Sequence, residues 1–174
     1  IAAKYANSTS MGDYGMYADL NMLQHFDDWV YDGQAEGGLK RIVGKDRYDL
    51  GLLPTMRINA GASYGKDGFG LGVNYRFIGS VTECGDTTGN TPCYQKTGDG
   101  EEYIDAEGYN RAVDAYHVVD LVASYGFDAG FGATNLMLGV NNVMDAAPPT
   151  IYSGFYADSD PGYDFMGRYV YLRL

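Results

Sequence analysis

The chain has 174 residues, enough for one domain of ordinary size, and carries a net charge of −11. This acidity argues against nucleic acid as a partner, because phosphate binding requires a basic face. Its 25 glycines and 17 tyrosines are unusually numerous and point to a β protein. No run of about 18 apolar residues predicts a transmembrane helix, but the strands of a membrane barrel carry their hydrophobicity in alternation.

Alternating apolar and polar residues predict seven β-strands, because successive side chains of a strand point to opposite faces. The predicted strands are residues 1–6, 14–24, 53–64, 69–79, 115–127, 133–143 and 163–174. Segments rich in Gly, Asn, Asp, Ser or Pro separate them and predict turns and loops. These connections are residues 7–13, 25–50, 65–68, 80–114, 128–132 and 144–162.

The two faces of each predicted strand differ in polarity. In the last strand, for example, Val170 and Leu172 fall on one face and Tyr171 and Arg173 on the other. We expect the polar faces to line the lumen of a barrel, where their side chains hydrogen-bond a plug or water. The residues predicted to face the lumen are Asp19, Asn21, Arg57, Asn59, Asn74, Arg76, Asp120 and Asn135.

Aromatic residues end the apolar rows beside the short turns, at Tyr64, Phe69, Tyr125 and Phe127. A transmembrane barrel places an aromatic girdle at that position. The alternative is a soluble sheet in which these aromatics belong to a core and the polar face is outside.

Short and long connections alternate along the chain, as periplasmic turns and outer loops do in outer-membrane barrels. On that assignment the last predicted strand descends to the periplasm, and so does the first. Complete bacterial barrels have an even number of strands and both ends inside. The odd count predicts a C-terminal segment of a larger barrel, or one chain of a barrel built from two.

Four stretches, residues 53–60, 72–79, 116–121 and 138–145, resemble successive late strands of TonB-dependent outer-membrane receptors. The resemblance implies an all-β fold, a transmembrane antiparallel β-barrel of about 22 strands. Residues 1–174 would supply about seven C-terminal strands of it, without the plug domain. It further implies a Gram-negative outer membrane and, as partners, its lipid, the remaining strands, the plug and, through the plug, TonB.

The function implied by the resemblance is active uptake of a nutrient, a carbohydrate or a metal chelate, with this chain forming barrel wall and extracellular loops. Two alternatives stay open on the residues alone: a small structural or adhesive outer-membrane barrel, and an outer-membrane enzyme. The sequence has no nucleophile-elbow, phosphate-loop or zinc-protease motif. His117 and Asp120 lie three apart, so they face opposite sides of their strand.

We therefore predict no enzyme, no catalytic residue, no metal and no cofactor. The acidic segment 99–107 could hold Ca²⁺, but its spacing is not that of an EF-hand, and a solvated loop surface is the alternative. Acidic outer loops disfavour anionic cargo such as many ferric siderophores, whereas Asp with Tyr suits sugar hydroxyls or cationic groups. Ligand contact is predicted for Tyr103, Tyr109, Tyr152 and Tyr156, with packing inside the loops as the alternative.

Cys84 and Cys93 lie nine positions apart in a predicted outer loop, with no second cysteine pair that would complete a zinc site. We predict a disulfide between them, formed in an oxidising compartment; two free thiols are the alternative.

Reducing this disulfide is expected to loosen one outer loop and to leave the barrel wall intact. Protease nicking of intact cells, compared with and without reductant, measures the effect. Nicking that does not change on reduction would count against the bridge.

Overall fold

A computed structural model of the chain describes residues 1–30, 38–41, 43–47, 51–84, 110–130, 132–151 and 162–174. The regular structure of these residues consists of thirteen β-strands. They are β1 (Ala2–Thr9), β2 (Gly12–Met22), β3 (Asp27–Val30), β4 (Gly38–Arg41), β5 (Lys45–Arg47), β6 (Gly51–Leu53), β7 (Met56–Lys66), β8 (Phe69–Ile78), β9 (Val81–Cys84), β10 (Asn110–Val113), β11 (Tyr116–Asp128), β12 (Ala133–Asn141) and β13 (Tyr169–Arg173). Within the described ranges, no helix has the length and apolarity to cross a membrane.

Seven long strands form one antiparallel sheet in the order β1-β2-β7-β8-β11-β12-β13. Each strand of this sheet pairs with the next one along the chain that belongs to it, as in an up-and-down barrel wall. The predicted seven-stranded antiparallel fold is confirmed. The sheet is open, with β1 and β13 at its two edges.

The first turn is shorter than predicted. Residues 7–9 continue β1, because Asn7 lies opposite Tyr14 and Thr9 opposite Gly12 in the ladder. The Thr9 hydroxyl donates to the Gly12 carbonyl at 3.2 Å, and the Met11 N–H donates to the Thr9 hydroxyl at 3.1 Å. These hydrogen bonds of the Thr9 side chain stabilise the turn, so that the pairing of β1 with β2 continues up to it.

The last strand begins later than predicted, at Tyr169 instead of Tyr163. Tyr163 is buried, and Gly167 has a φ of +66°, which a strand cannot accommodate. Residues 163–168 therefore leave the plane of the sheet. The apolar alternation that predicted a strand over residues 163–174 holds only for its second half.

The long connections are more ordered than the loops predicted for residues 25–50 and 80–114. The first contains β3, β4 and β5, and the second contains β9 and β10. β3 pairs with β4 as a separate two-stranded sheet. The other short strands, with β6, form a four-stranded sheet in the order β10-β9-β5-β6. Because these pairings join distant segments, local alternation did not reveal them.

The apolar face of the seven-stranded sheet is exposed. Leu121, Leu136 and Leu138 keep 42%, 38% and 48% of their surface accessible. One row of this face runs straight across the sheet through residues paired in the ladder, namely Met16, Ala62, Val73, Leu121, Val140 and Val170. A soluble β-sandwich would bury such a row. The sheet therefore has the predicted polarity, with its apolar face exposed.

Buried apolar side chains gather instead at the end of the sheet where the long connections lie, which we call the long-connection end. The cluster comprises Leu52, Val81, Val113, Tyr116, Val118, Ile151 and Tyr163. Tyr116 and Val118 are its wall residues, and they alternate with His117 and Val119 of the apolar face. The cluster therefore lies on the polar face of the sheet.

Candidate functional site on the polar face of the sheet

The strand register brings the eight predicted lumen residues to one face of the sheet. Asp19 lies opposite Asn59, which lies opposite Arg76, and Asn74 lies opposite Asp120. Asn21 faces Arg57 across the same ladder, and Asn135 lies opposite Gly126 two residues beyond Ser124. Side chains directly opposite in a ladder share a face. That this face lines a lumen stays a prediction from the sequence.

Asp120 is the centre of a hydrogen-bond network on this face. Its carboxylate accepts from Asn74 Nδ2 at 3.3 Å and from the Asn142 backbone N–H at 2.8 Å. Arg76 Nη2 donates to Asp120 Oδ1 at 3.4 Å and to Asp164 Oδ2 at 3.0 Å. One guanidinium thus links a wall carboxylate to a carboxylate of the connection between β12 and β13.

The network also reaches back to β2 through Tyr17. The Tyr17 hydroxyl donates to Asn74 Oδ1, although Gly61 of β7 lies between these two residues in the ladder. A Cβ at Gly61 would lie 2.4 Å from Tyr17 Cε1. Because Gly61 has no side chain, the Tyr17 ring can cross β7 and reach β8. The glycine therefore makes this long-range hydrogen bond possible.

Sequence reasoning did not find Asn142, which is fully buried just after β12. Its amide donates to the Ala146 carbonyl at 2.9 Å, and its Oδ1 accepts from the Ala146 N–H at 2.8 Å. Its φ of +50° lies in the left-handed region, which Asn tolerates better than most residues. The available signal was an Asn pair at a strand end before a loop, a common turn composition.

Asp164 and Asp145 were also missed, because each lies in a segment predicted as strand or loop without a partner. Asp145 Oδ1 accepts from the Arg168 backbone N–H at 3.0 Å, and Asp145 Oδ2 lies 3.2 Å from Arg168 Nη2. The Tyr116 hydroxyl lies 3.2 Å from the carbonyl oxygens of both Ala146 and Asp164. These contacts fold the stems of the third long connection onto the wall.

The remaining predicted lumen residues are less engaged. Arg57 Nη2 donates to the Leu52 carbonyl at 3.1 Å. The side chains of Asp19, Asn21, Asn59 and Asn135 make no hydrogen bond within the part of the chain that the structure describes. Within the described residues, four of the eight side chains therefore take part in hydrogen bonds and four do not.

The four predicted ligand tyrosines, Tyr103, Tyr109, Tyr152 and Tyr156, lie outside the described residues, as do Cys93 and the acidic segment 99–107. The backbone of Cys84 lies in β9, opposite Asn110. Ligand contact by these tyrosines and the disulfide therefore stay predictions. Among the residues with described positions, no group of three His, Cys, Asp or Glu side chains is placed to hold a metal.

Aromatic side chains stand at both ends of the exposed apolar face. Near the short turns, the Tyr14 and Tyr64 rings lie 5.2 Å apart and the Tyr125 and Phe127 rings 6.2 Å apart. At the long-connection end, the Tyr75 hydroxyl is 2.7 Å from His117 Nδ1, while Phe77 packs on the same imidazole. Amphipathic rings at two levels are typical of the two membrane interfaces.

An antiparallel sheet with an exposed apolar face, aromatic belts and a hydrogen-bonded polar face is the wall of an outer-membrane β-barrel. The family model described as TonB dependent receptor-like, beta-barrel, matches residues 4–143, and the chain belongs to this family. The resemblance seen in the sequence is confirmed. Comparison with curated proteins and with solved structures gives no match.

Membership of this family indicates the general function of the wall. The family consists of receptors of the Gram-negative outer membrane that act in TonB-dependent transport, and its members are transporters rather than enzymes. Outer-membrane lipid, a plug domain and TonB are the partners that the family implies.

Replacing Gly61 by Ala should weaken the sheet, because the new Cβ would displace the Tyr17 ring and break its hydrogen bond to Asn74. We expect a loss of about 1–3 kcal/mol in the free energy of unfolding. The measurement is urea unfolding of the full receptor in detergent, followed by the gel shift of the folded barrel.

Gly126→Ala is the matched control, since the nearest atom to a Cβ there lies at 3.7 Å. Adding Tyr17→Ala to Gly61→Ala should give a combined loss smaller than the sum. Strict additivity, or equal losses for both glycines, would contradict the account.

Replacing Arg76 by Gln should leave Asp120 and Asp164 without their shared cation. Because both carboxylates are partly buried, we expect about 1–3 kcal/mol of destabilisation and faster proteolysis of the connection between β12 and β13. Arg173→Gln, at an exposed position of the same face, is the control. A double variant with Asp164→Asn should lose less than the two single losses together; full additivity would show that the pair is not coupled.

Proposed function

We propose that this chain forms part of the wall and the extracellular loops of a receptor that takes up a nutrient, either a carbohydrate or a metal chelate. The observation that carries the proposal is the polarity of the sheet: apolar rows are exposed while charged and amide side chains share the other face. Together with family membership, this favours a water-filled or plugged interior surrounded by lipid.

In the proposed receptor, residues 1–174 are one piece of the barrel, its C-terminal part, and contain no plug domain. The support is the open sheet, since strand edges within a bilayer need partner strands for their backbone groups. Seven strands are also few against the roughly 22 of plugged outer-membrane transporters. Further strands would pair with β1 and β13.

The open half of the polar face would contact the plug or water. Asp19 and Asn59 are cross-strand neighbours, and Asn21 follows on the same face towards the long connections. Their side chains make no hydrogen bond among the described residues, where Asn21 and Asn59 are exposed. A plug that covered this face would bury them, and a buried polar group requires a hydrogen-bond partner. A plug in the lumen would supply such partners.

The long connections would lie outside the cell, because barrels of this class have short periplasmic turns and long outer loops. They comprise residues 23–55, 79–115 and 142–168 and hold 18 of the 23 acidic and 7 of the 12 basic residues. The whole net charge of −11 therefore resides in them, and the strands and tight turns are neutral.

This distribution favours a neutral or cationic nutrient over an anionic one. Loops of one sign repel ligands of that sign and slow their approach, an effect that salt screens. Tyr103, Tyr109, Tyr152 and Tyr156 belong to the same connections and would supply stacking surfaces and hydroxyls to the ligand.

Uptake by cells tests the proposal. The full receptor is expressed in a strain that lacks other receptors, and labelled oligosaccharides and metal chelates of neutral, positive and negative charge are offered. We expect energy-dependent accumulation of a neutral or cationic solute, abolished in a matched strain without TonB. Accumulation that persists without TonB would refute the transport proposal.

The charge preference has its own control. Glu101→Gln with Glu102→Gln should accelerate capture of an anionic chelate at low salt, with little effect on a neutral oligosaccharide. A receptor that transports only anionic chelates, unaffected by this variant, would overturn the ligand class while leaving TonB-dependent transport standing.

A further inference from the structure

The first and second long connections are joined to each other through backbone pairing. β5, from the first connection, pairs in parallel with β9, from the second, so that Lys45 lies opposite Thr82 and Asp46 opposite Glu83. The Thr82 N–H donates to the Gly44 carbonyl at 2.8 Å, and the Gly44 N–H donates to the Leu53 carbonyl at 2.7 Å. Two connections far apart in sequence therefore share one sheet.

The third connection joins them through the buried apolar cluster. Leu52 comes from the first connection, Val81 and Val113 from the second, and Ile151 and Tyr163 from the third. Ile151 has no accessible surface and Val113 has 1%. A side chain this deeply buried can leave the cluster only when its neighbours open as well, because protein cores are close-packed.

The floor of the cluster is the wall itself. Tyr116 and Val118 of β11 are buried in it, and the Tyr116 ring meets Tyr163 edge to face, with centroids 5.2 Å apart. The Arg76–Asp164 ion pair and the Asn142–Asp120 hydrogen bond flank it. The three connections therefore pack together on the polar face of the wall, at the long-connection end of the sheet.

We infer that these three connections act as one cooperative unit, in which opening of any one opens the other two. We call this the loop unit, made of residues 43–47, 51–55, 79–84, 110–115, 142–151 and 162–168. The β3–β4 hairpin belongs to the first connection, but among the described residues its two strands pair with each other and with no other strand, so we place it outside the loop unit. Binding of a ligand to one connection would consequently change the stability of all three.

Hydrogen exchange of the full receptor, read by mass spectrometry without any ligand, tests this inference. Ile151→Ala deletes apolar contacts in the third connection alone. We expect amides of residues 51–55, 79–84 and 110–115 to exchange at least about tenfold faster, since a large-to-small core change weakens the whole cooperative unit. The β3–β4 hairpin and the seven-stranded sheet should exchange as before.

Val113→Ala should produce the same pattern from the second connection, speeding exchange in residues 142–151 and 162–168. Met166→Ala is the matched control, because its side chain lies in the third connection with 77% of its surface exposed. Faster exchange confined to the mutated connection would overturn the inference. If Ile151→Ala loosens the wall too, Ile151→Val, which removes less, is judged by the same criterion.

Discussion

Backbone hydrogen bonding in a lipid environment is the constraint on which the rest of this structure depends. A strand that crosses a bilayer must satisfy every N–H and C=O through its neighbours, and an antiparallel ladder does this completely. The five inner strands, β2, β7, β8, β11 and β12, have a ladder partner on both sides, and the register is continuous from β1 to β13. Once that register is fixed, the period of two assigns each side chain to lipid or to the polar face. The exposed leucines and the position of Asp120 on the polar face are two consequences of the same ladder.

Charges on the polar face are stabilised by mutual pairing rather than by solvent alone. Asp120 accepts hydrogen bonds from Asn74 and Arg76 of β8 and from the Asn142 N–H, and Arg76 also pairs with Asp164. Small residues make room for these contacts, as Gly61 does for Tyr17. The same network fixes the stems of the third long connection to the wall. The packing of the wall and the placement of the third connection therefore share one set of side chains.

The connections add a second, smaller architecture above the barrel wall. Their four-stranded sheet and apolar cluster are built from segments separated by tens of residues. This part of the molecule is folded like a soluble protein, with its apolar residues inside, whereas the wall below it is inverted. The two arrangements of apolar residues meet at Tyr116 and Val118, where the polar face of the wall becomes apolar. The whole acidic surplus of the chain lies in the long connections, the part proposed to meet the ligand.

The amino-acid sequence by itself determined the seven long strands, their two faces and the grouping of the eight polar residues from Asp19 to Asn135. These features are local or follow from a period of two, which can be read from neighbouring residues. Only the tertiary structure decided where the short strands β5, β9 and β10 form, that the last strand starts as late as Tyr169, and which contacts Asn142 and Asp164 make. Each of these depends on a partner distant in the chain, and a contact between distant segments leaves no periodic trace in either of them.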